Sequence, residues 1–69
     1  MTLEELRIEC GWSRNEMARR ADVDFSTVKK AINGETVSIS TAHKLAAAIS
    51  HQLDRTIQFQ QIKGLNVRV

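Results

Sequence analysis

Few side chains in this chain of 69 residues have the types and spacings that carry out covalent or metal chemistry. The single cysteine, Cys10, falls on the apolar face of a predicted helix, where a small core residue explains it better than a nucleophile. His43 and His51 are eight residues apart with no cysteine nearby, so positions on a helix surface explain them better than zinc ligands. Half of the carboxylates fall at predicted helix starts, where capping explains them. We therefore expect no enzyme activity, no cofactor and no metal site.

The basic side chains are the remaining candidates for function. The net charge of +2 at pH 7 is too small by itself to indicate a nucleic acid. Its distribution is uneven, because residues 1–10 are acidic whereas residues 11–69 carry nine basic and five acidic side chains, a balance of +4. A solvated surface of mixed charge explains this distribution equally well. The choice between such a surface and a nucleic-acid-binding surface therefore depends on the elements that position these side chains.

Length and composition indicate one small domain. One cysteine cannot form an internal disulfide, and a lone thiol fits the reducing cytosol. With 42% apolar and 26% charged residues, disorder is not expected. We see neither a signal peptide nor an apolar run of the ~18 residues that a membrane span requires, and no site for a small molecule. A cytoplasmic protein is expected.

Capping residues and apolar spacing predict four helices in the first fifty residues. Thr2–Glu5 and Ser13–Glu16 fit capping boxes that open helices one and two, and Gly11 can end helix one in the left-handed conformation. Ser38 caps helix four. The residues expected on the inward faces of the four helices are Leu3, Leu6 and Cys10; Met17, Ala18 and Ala21; Val28, Ala31 and Ile32; and Ile39, Ala42, Leu45, Ala46 and Ile49.

The connection between helices two and three is the most informative spacing. Helix two ends near Ala21, and helix three begins at Asp24, an N-cap residue, and stops at Gly34. Ala18 is small enough for two helices to approach closely, and Val23 can fill the space in the turn. This is the geometry of a helix-turn-helix, whose second helix enters the major groove of DNA. Any small helical bundle with a tight corner would show the same pattern.

The segment after Ser50 has a different character. Ile57 and Phe59 alternate as in a strand, yet Ile57 could equally start a short helix capped by Thr56. After Gly64, residues 65–69 alternate apolar and polar side chains, which predicts a strand. A lone strand must pair with a hairpin partner, with another copy of the chain or with another protein, and we prefer pairing across a homodimer. The residues expected at this dimer or partner interface are Phe59, Leu65, Val67 and Val69.

The stretch from Leu3 to Ile49 resembles the Cro/C1-type (xenobiotic-response-element) helix-turn-helix family, the lambda-repressor-like DNA-binding domains. The resemblance covers about two thirds of the chain. It implies an all-α domain of four to five helices in residues 1–50, followed by a C-terminal extension in residues 51–69 that holds the possible β-strand. The matching motifs are Leu3-Glu-Glu-Leu-Arg7, Ser13-Arg-Asn-Glu-Met-Ala18, Val23-Asp-Phe-Ser-Thr-Val28, Ile32-Asn-Gly34, Ser38-Ile39 and Lys44-Leu-Ala46.

The resemblance also implies which residues contact DNA, with helix three, residues 25–33, in the major groove. Phe25 could contact a thymine methyl group or pack against a neighbouring loop, and the lysines could be no more than solubilising charges. The residues implied to face the bases are Phe25, Ser26 and Lys30, with Thr27 and Lys29 flanking them. The residues implied to contact phosphates are Arg14, Asn33, Thr36, Ser38 and Lys44.

The chain departs from the family pattern at two positions. Arg7 keeps its place in helix one, but Ile32 stands where the family often has the glutamate that pairs with this arginine. We therefore expect that ion pair to be absent and the site to be more apolar. Trp12 stands where a smaller aliphatic residue is common, and we expect it to cover the core between helices one and two.

The leading hypothesis is a sequence-specific regulator, with repression as the expected direction, that binds double-stranded DNA as a homodimer on a pseudo-palindrome. A second hypothesis is an antitoxin-like protein that also holds a partner protein through its C-terminal extension. A third is an accessory module that contacts only protein, for which no salt-sensitive DNA affinity is expected.

Overall fold

The computed structural model describes residues 1–68, so Val69, one of the expected interface residues, lies outside the described part. The helices are α1 (Leu3–Cys10), α2 (Arg14–Ala21), α3 (Phe25–Ile32) and α4 (Ile39–Leu53). A 3-10 turn covers Phe59–Gln61, and two short strands, β1 (Val37–Ser38) and β2 (Val67–Arg68), complete the fold. The predicted small all-α domain with a C-terminal strand is confirmed.

The ends of α1 follow the predicted local chemistry. Thr2 Oγ1 accepts a hydrogen bond from the Glu5 amide at 3.1 Å, and the Glu5 carboxylate accepts one from the Thr2 amide at 2.7 Å. Gly11 ends the helix with a φ of 77°, a conformation that costs glycine little. The first capping box and the glycine stop are confirmed.

The capping predictions for α2 and α3 are only partly right. Ser13 Oγ accepts from the Glu16 amide at 3.0 Å, but the Glu16 carboxylate binds Arg19 and Arg20 rather than the Ser13 amide. Asp24 has the extended backbone of an N-cap, yet its side chain accepts no capping hydrogen bond. Arginines one turn later compete successfully for Glu16, and this competition is not visible in the capping motif itself.

The core lies where α1 and α2 pack against α4, while α3 packs against α2 and α1. Trp12 is buried, as expected, and its carbonyl oxygen accepts a hydrogen bond from Arg7 Nη1 at 2.6 Å. Ile39 was expected in the inward stripe of α4, but it is 43% exposed because it is the first residue of the helix and projects beyond the other elements. The buried residues are Leu3, Leu6, Cys10, Trp12, Met17, Ala18, Ala21, Val28, Ala31, Val37, Ala42, Leu45, Ala46, Ile49 and Ile62.

The segment after α4 folds back over the core. Ser50 Oγ accepts a hydrogen bond from the Ile57 amide at 2.8 Å, which anchors the returning chain to α4. Ile62 is buried, and Ile57 and Leu65 pack against the core. Neither expectation for Ile57 and Phe59 is right, because Phe59 begins the 3-10 turn. The Gln61 side chain caps this turn by accepting a hydrogen bond from the Gln58 amide at 2.8 Å.

The C-terminal strand finds its partner in the same chain. β2 pairs in parallel with β1, in the register Val37 with Val67 and Ser38 with Arg68. The Val37 amide donates to the Asn66 carbonyl oxygen at 2.9 Å. We expected this strand to pair across a homodimer, and that pairing is not the one found. The return over the core brings residues 65–68 to the open edge of residues 37–38, so their backbone groups are satisfied locally.

Within residues 1–68, no helix has both the length and the apolar character needed to cross a membrane.

Candidate functional site

The α2–turn–α3 unit presents one face of α3 to solvent. Val28 and Ala31 of α3 are buried, with 0% and 2% of their surfaces exposed, and they hold the helix on the core. The outward positions of α3 and its C-cap are Phe25, Ser26, Lys29, Lys30 and Asn33, all of them exposed, as the sequence predicted. Thr27, the remaining predicted base-reading residue, is half-buried.

The turn that orients α3 is built as predicted. Asp22 ends α2 in the left-handed conformation with a φ of 59°. The Val23 amide then donates to the Ala18 carbonyl oxygen at 3.0 Å, and the Val23 side chain packs against the core. Buried Ala18 and Ala21 let the two helices approach closely. Because α3 is too short to be stable alone, this packing stabilises it.

Phe25 and Lys29 form a pair on the exposed face of α3. The Phe25 side chain is 41% exposed at the start of the helix. Lys29 Nζ lies 5.8 Å from the centre of the Phe25 ring, within the range of a cation–π contact. An aromatic ring and a cation therefore stand side by side at the end of the helix that the resemblance directs at base edges.

A shallow depression runs along the exposed face of α3 and its following loop. It is lined by Ser26, Lys29, Lys30, Asn33 and Glu35. Glu35 was not among the predicted contact residues, and it places one carboxylate at the rim of a basic surface. A carboxylate in this position repels phosphate, whereas it can accept from the amino group of a cytosine.

The predicted phosphate-contacting residues differ in exposure and in whether they already have hydrogen-bond partners within the chain. Arg14, at the start of α2, has 42% of its side chain exposed and its Nη2 atom lies 3.4 Å from Glu4 Oε2. Lys44 Nζ is 3.5 Å from the Asp22 carbonyl oxygen, so α4 contacts the turn. Asn33 and Thr36 are exposed. The Ser38 hydroxyl accepts from the Thr41 amide at 3.2 Å and donates to Thr41 Oγ1 at 3.0 Å, which uses it as a helix cap.

The arginines that form ion pairs lie on α1, on α2 and after α4, and none of them is on α3. Arg7 binds Glu4 at 2.7 Å, so Arg7 takes its carboxylate from its own helix while Ile32 leaves the family's pairing position apolar, as expected. Hydrogen bonds from arginine lower the pKa of Glu4, of Glu9 beside Arg55, and of Glu16 beside Arg19 and Arg20. Within the described residues, no ion pair involves Lys29 or Lys30. The positive charge of α3 is therefore available to a ligand.

The side chains that could have suggested chemistry are accounted for structurally. Cys10 is buried, and burial raises the pKa of its thiol, which makes it unreactive. The His43 ring meets the Phe59 ring edge to face, with 5.0 Å between their centres. Among residues 1–68, no group of three or more potential ligands is arranged to hold a metal ion. The expected interface residues Phe59, Leu65 and Val67 are each half-buried.

Comparison with known proteins gives one match. A family model described as helix-turn-helix matches residues 3–50, which comprise α1, α2, α3, β1 and most of α4. No curated protein and no solved structure matches the chain.

Proposed function

Because the chain belongs to the Cro/C1-type helix-turn-helix family and is a DNA-binding regulator of that type, we propose that it represses transcription by reading the major groove with α3. The observation that carries this proposal is the division of α3 into two faces. Val28 and Ala31 are buried, whereas the opposite side exposes Lys29 and Lys30, which have no ion-pair partner in the described chain.

The chemistry of the exposed face suits base edges. Lys30 can donate to the O6 and N7 atoms of guanine, and Ser26 can donate to or accept from several bases. Phe25 offers an apolar edge to a thymine methyl group. Thr27 and Lys29 flank these three residues, and Lys29 Nζ lies 5.8 Å from the centre of the Phe25 ring.

Backbone contacts would orient α3 in the groove without reading sequence. Arg14 and Lys44 supply positive charge on either side of the helix-turn-helix, and Asn33 and Thr36 supply neutral donors at the far end of α3. We assign Ser38 a smaller part than the resemblance implies, because its hydroxyl proton is directed to Thr41.

We propose further that two copies bind a pseudo-palindrome with half-sites about 34 Å apart. Phe59 supports this arrangement, since its half-buried ring and His43 form one side of a surface depression that Ala46, Ala47 and Ile57 also line. Leu65 and Val67 are half-buried within the chain, so only their exposed surfaces would contribute to the contact between the two copies. Sedimentation equilibrium should then give twice the monomer mass of 7.8 kDa; a monomer at micromolar concentration would remove this part of the proposal.

The decisive experiment measures fluorescence anisotropy of labelled duplexes, both a random pool and a sequence selected from that pool, across a salt series. Specific binding predicts that affinity falls steeply with salt concentration and that the selected sequence binds much more tightly than the pool. Lys30→Ala should weaken binding to the selected sequence by about tenfold, near the lower end of what one good base contact contributes.

Arg55→Ala is the matched control, because Arg55 also carries one positive charge but binds Glu9 on α1. It should leave the preference for the selected sequence unchanged. If the wild-type chain binds no duplex in a salt-sensitive manner, DNA binding by this chain is wrong. If Lys30→Ala and Arg55→Ala behave alike, Lys30 is not a base-reading residue.

A further inference from the structure

The C-terminal segment lies against the loop that follows α3. We call residues 62–68 the terminal strap. At one end the Lys63 amide donates to the Met1 carbonyl oxygen at 2.8 Å, and at the other β2 pairs with β1. Between them the Asn66 side chain donates to the Gly34 carbonyl oxygen, and the Asn66 carbonyl accepts from Val37. The strap therefore holds the loop at residues 34–38 from both ends.

This loop lacks the charge that a phosphate contact would use. Residues 34–38 contain no lysine or arginine, and Glu35 contributes a negative charge. The Ser38 hydroxyl is occupied as the cap of α4. Thr36 alone offers an exposed neutral hydroxyl. The loop by itself is therefore a weak partner for a DNA backbone.

The strand pairing supplies the missing charge. Side chains alternate between the two faces of a strand, and paired strands lie about 4.8 Å apart. Val37 is buried and its partner Val67 is half-buried, so both face the core. Ser38 and its partner Arg68 consequently share the face opposite to Val37 and Val67. Arg68 is exposed, and within residues 1–68 it takes part in no ion pair.

We propose that Arg68 binds a DNA phosphate next to the loop at residues 34–38, so that the terminal strap is part of the DNA-binding surface. This inference rests on the proposed function, because it requires the loop to lie beside the DNA backbone when α3 is in the groove. A guanidinium forms paired, charge-assisted hydrogen bonds with phosphate, which a lone threonine hydroxyl cannot match. Asn66 holds the terminal strap on the loop, since its side chain donates to the Gly34 carbonyl oxygen and its own carbonyl accepts from the Val37 amide.

The test measures the slope of log K against log salt concentration for the full chain with a random-sequence duplex and with the selected duplex. Each phosphate contact removed makes the slope shallower by about 0.9. Arg68→Gln should show this change on both duplexes, because a phosphate contact is independent of sequence. Arg68→Lys keeps the charge and should retain the wild-type slope. Arg55→Gln removes a charge that is bound to Glu9 and should change the slope less.

The outcomes separate the two proposals. If the wild-type chain shows no salt-dependent binding, the proposed function is wrong and Arg68 loses its role with it. If the wild-type chain binds, but Arg68→Gln and Arg55→Gln have equal slopes, only the inference about Arg68 is overturned. Loss of the slope in Arg68→Lys would also overturn it, since the charge is then not what matters. Thermal melting by circular dichroism checks that each variant is folded.

Discussion

Phe25 could serve either to pack against the protein or to contact DNA. A phenylalanine that is 41% exposed at the start of a helix gains less from burial than one in the core, and Lys29 at 5.8 Å adds only a weak cation–π contact. It is also absent from the cluster of buried residues and from the half-buried residues that pack against it. Packing within the chain therefore explains little of the presence of a phenylalanine at position 25, which favours a role in contact with DNA.

Phe25→Ala should therefore separate binding from stability. We expect the preference for T·A pairs at one position of the selected sequence to be lost, with a melting temperature close to that of the wild-type chain. Ile8→Ala is the control, because Ile8 is a large apolar residue of α1 that is 64% exposed. It should change neither property. A drop of several degrees in Phe25→Ala with the sequence preference intact would mean that the ring only packs against the protein.

At the scale of the elements, local chemistry made the helices predictable. Hydroxyl caps, a left-handed glycine and apolar spacing act within a few residues, so the extents of α1 to α3 followed from the sequence. The errors came from competing partners. Glu16 binds Arg19 and Arg20 of its own helix instead of the Ser13 amide. β2 pairs with β1 because the chain returns over the core, which spacing alone does not reveal.

The caps of α2 and α3 offer a direct comparison of these effects. Ser13→Ala removes the acceptor for the Glu16 amide and should lower the free energy of unfolding by about 1 kcal/mol. Asp24→Ala should cost clearly less, because the Asp24 side chain accepts no capping hydrogen bond. Urea denaturation of the two variants measures the difference. Equal losses would indicate that charge at the helix start, rather than the hydrogen bond, provides the stabilisation.

For the molecule as a whole, the site predicted from the sequence and the site we propose from the structure differ mainly in that the second includes Arg68. The exposed face of α3 was predictable, since burial of Val28 and Ala31 determines which side chains remain outside. The proximity of Arg68 to the α3–α4 loop was not, because it depends on a contact between residues thirty positions apart in sequence. A parallel pair of two-residue strands is too short to leave a recognisable pattern. The extension was expected to serve a partner, and in the structure it completes the core.

The ion pairs on the surface of the molecule make its folding stability depend on pH at the acidic end of the range. Arginine side chains lower the pKa values of Glu4, Glu9 and Glu16 below the ordinary value of 4.5. In the unfolded chain these carboxylates regain ordinary pKa values, so the folded state binds fewer protons between the two sets of values. Their contribution is therefore fully present above pH 4.5 and is lost as the pH falls through the lowered values.

We expect the melting temperature to decline as the pH is lowered from 5 towards 3. Glu9→Gln should decline less steeply than the wild-type chain, since it lacks the carboxylate that joins α1 to Arg55 beyond the end of α4. Because Glu9 and Arg55 are both partly exposed, raising the salt concentration should flatten the wild-type curve as well. Calorimetry at low and high salt provides the measurement. A melting temperature that stays constant from pH 5 to pH 3 at low salt would mean that the pairs persist in the unfolded chain or contribute nothing to folding.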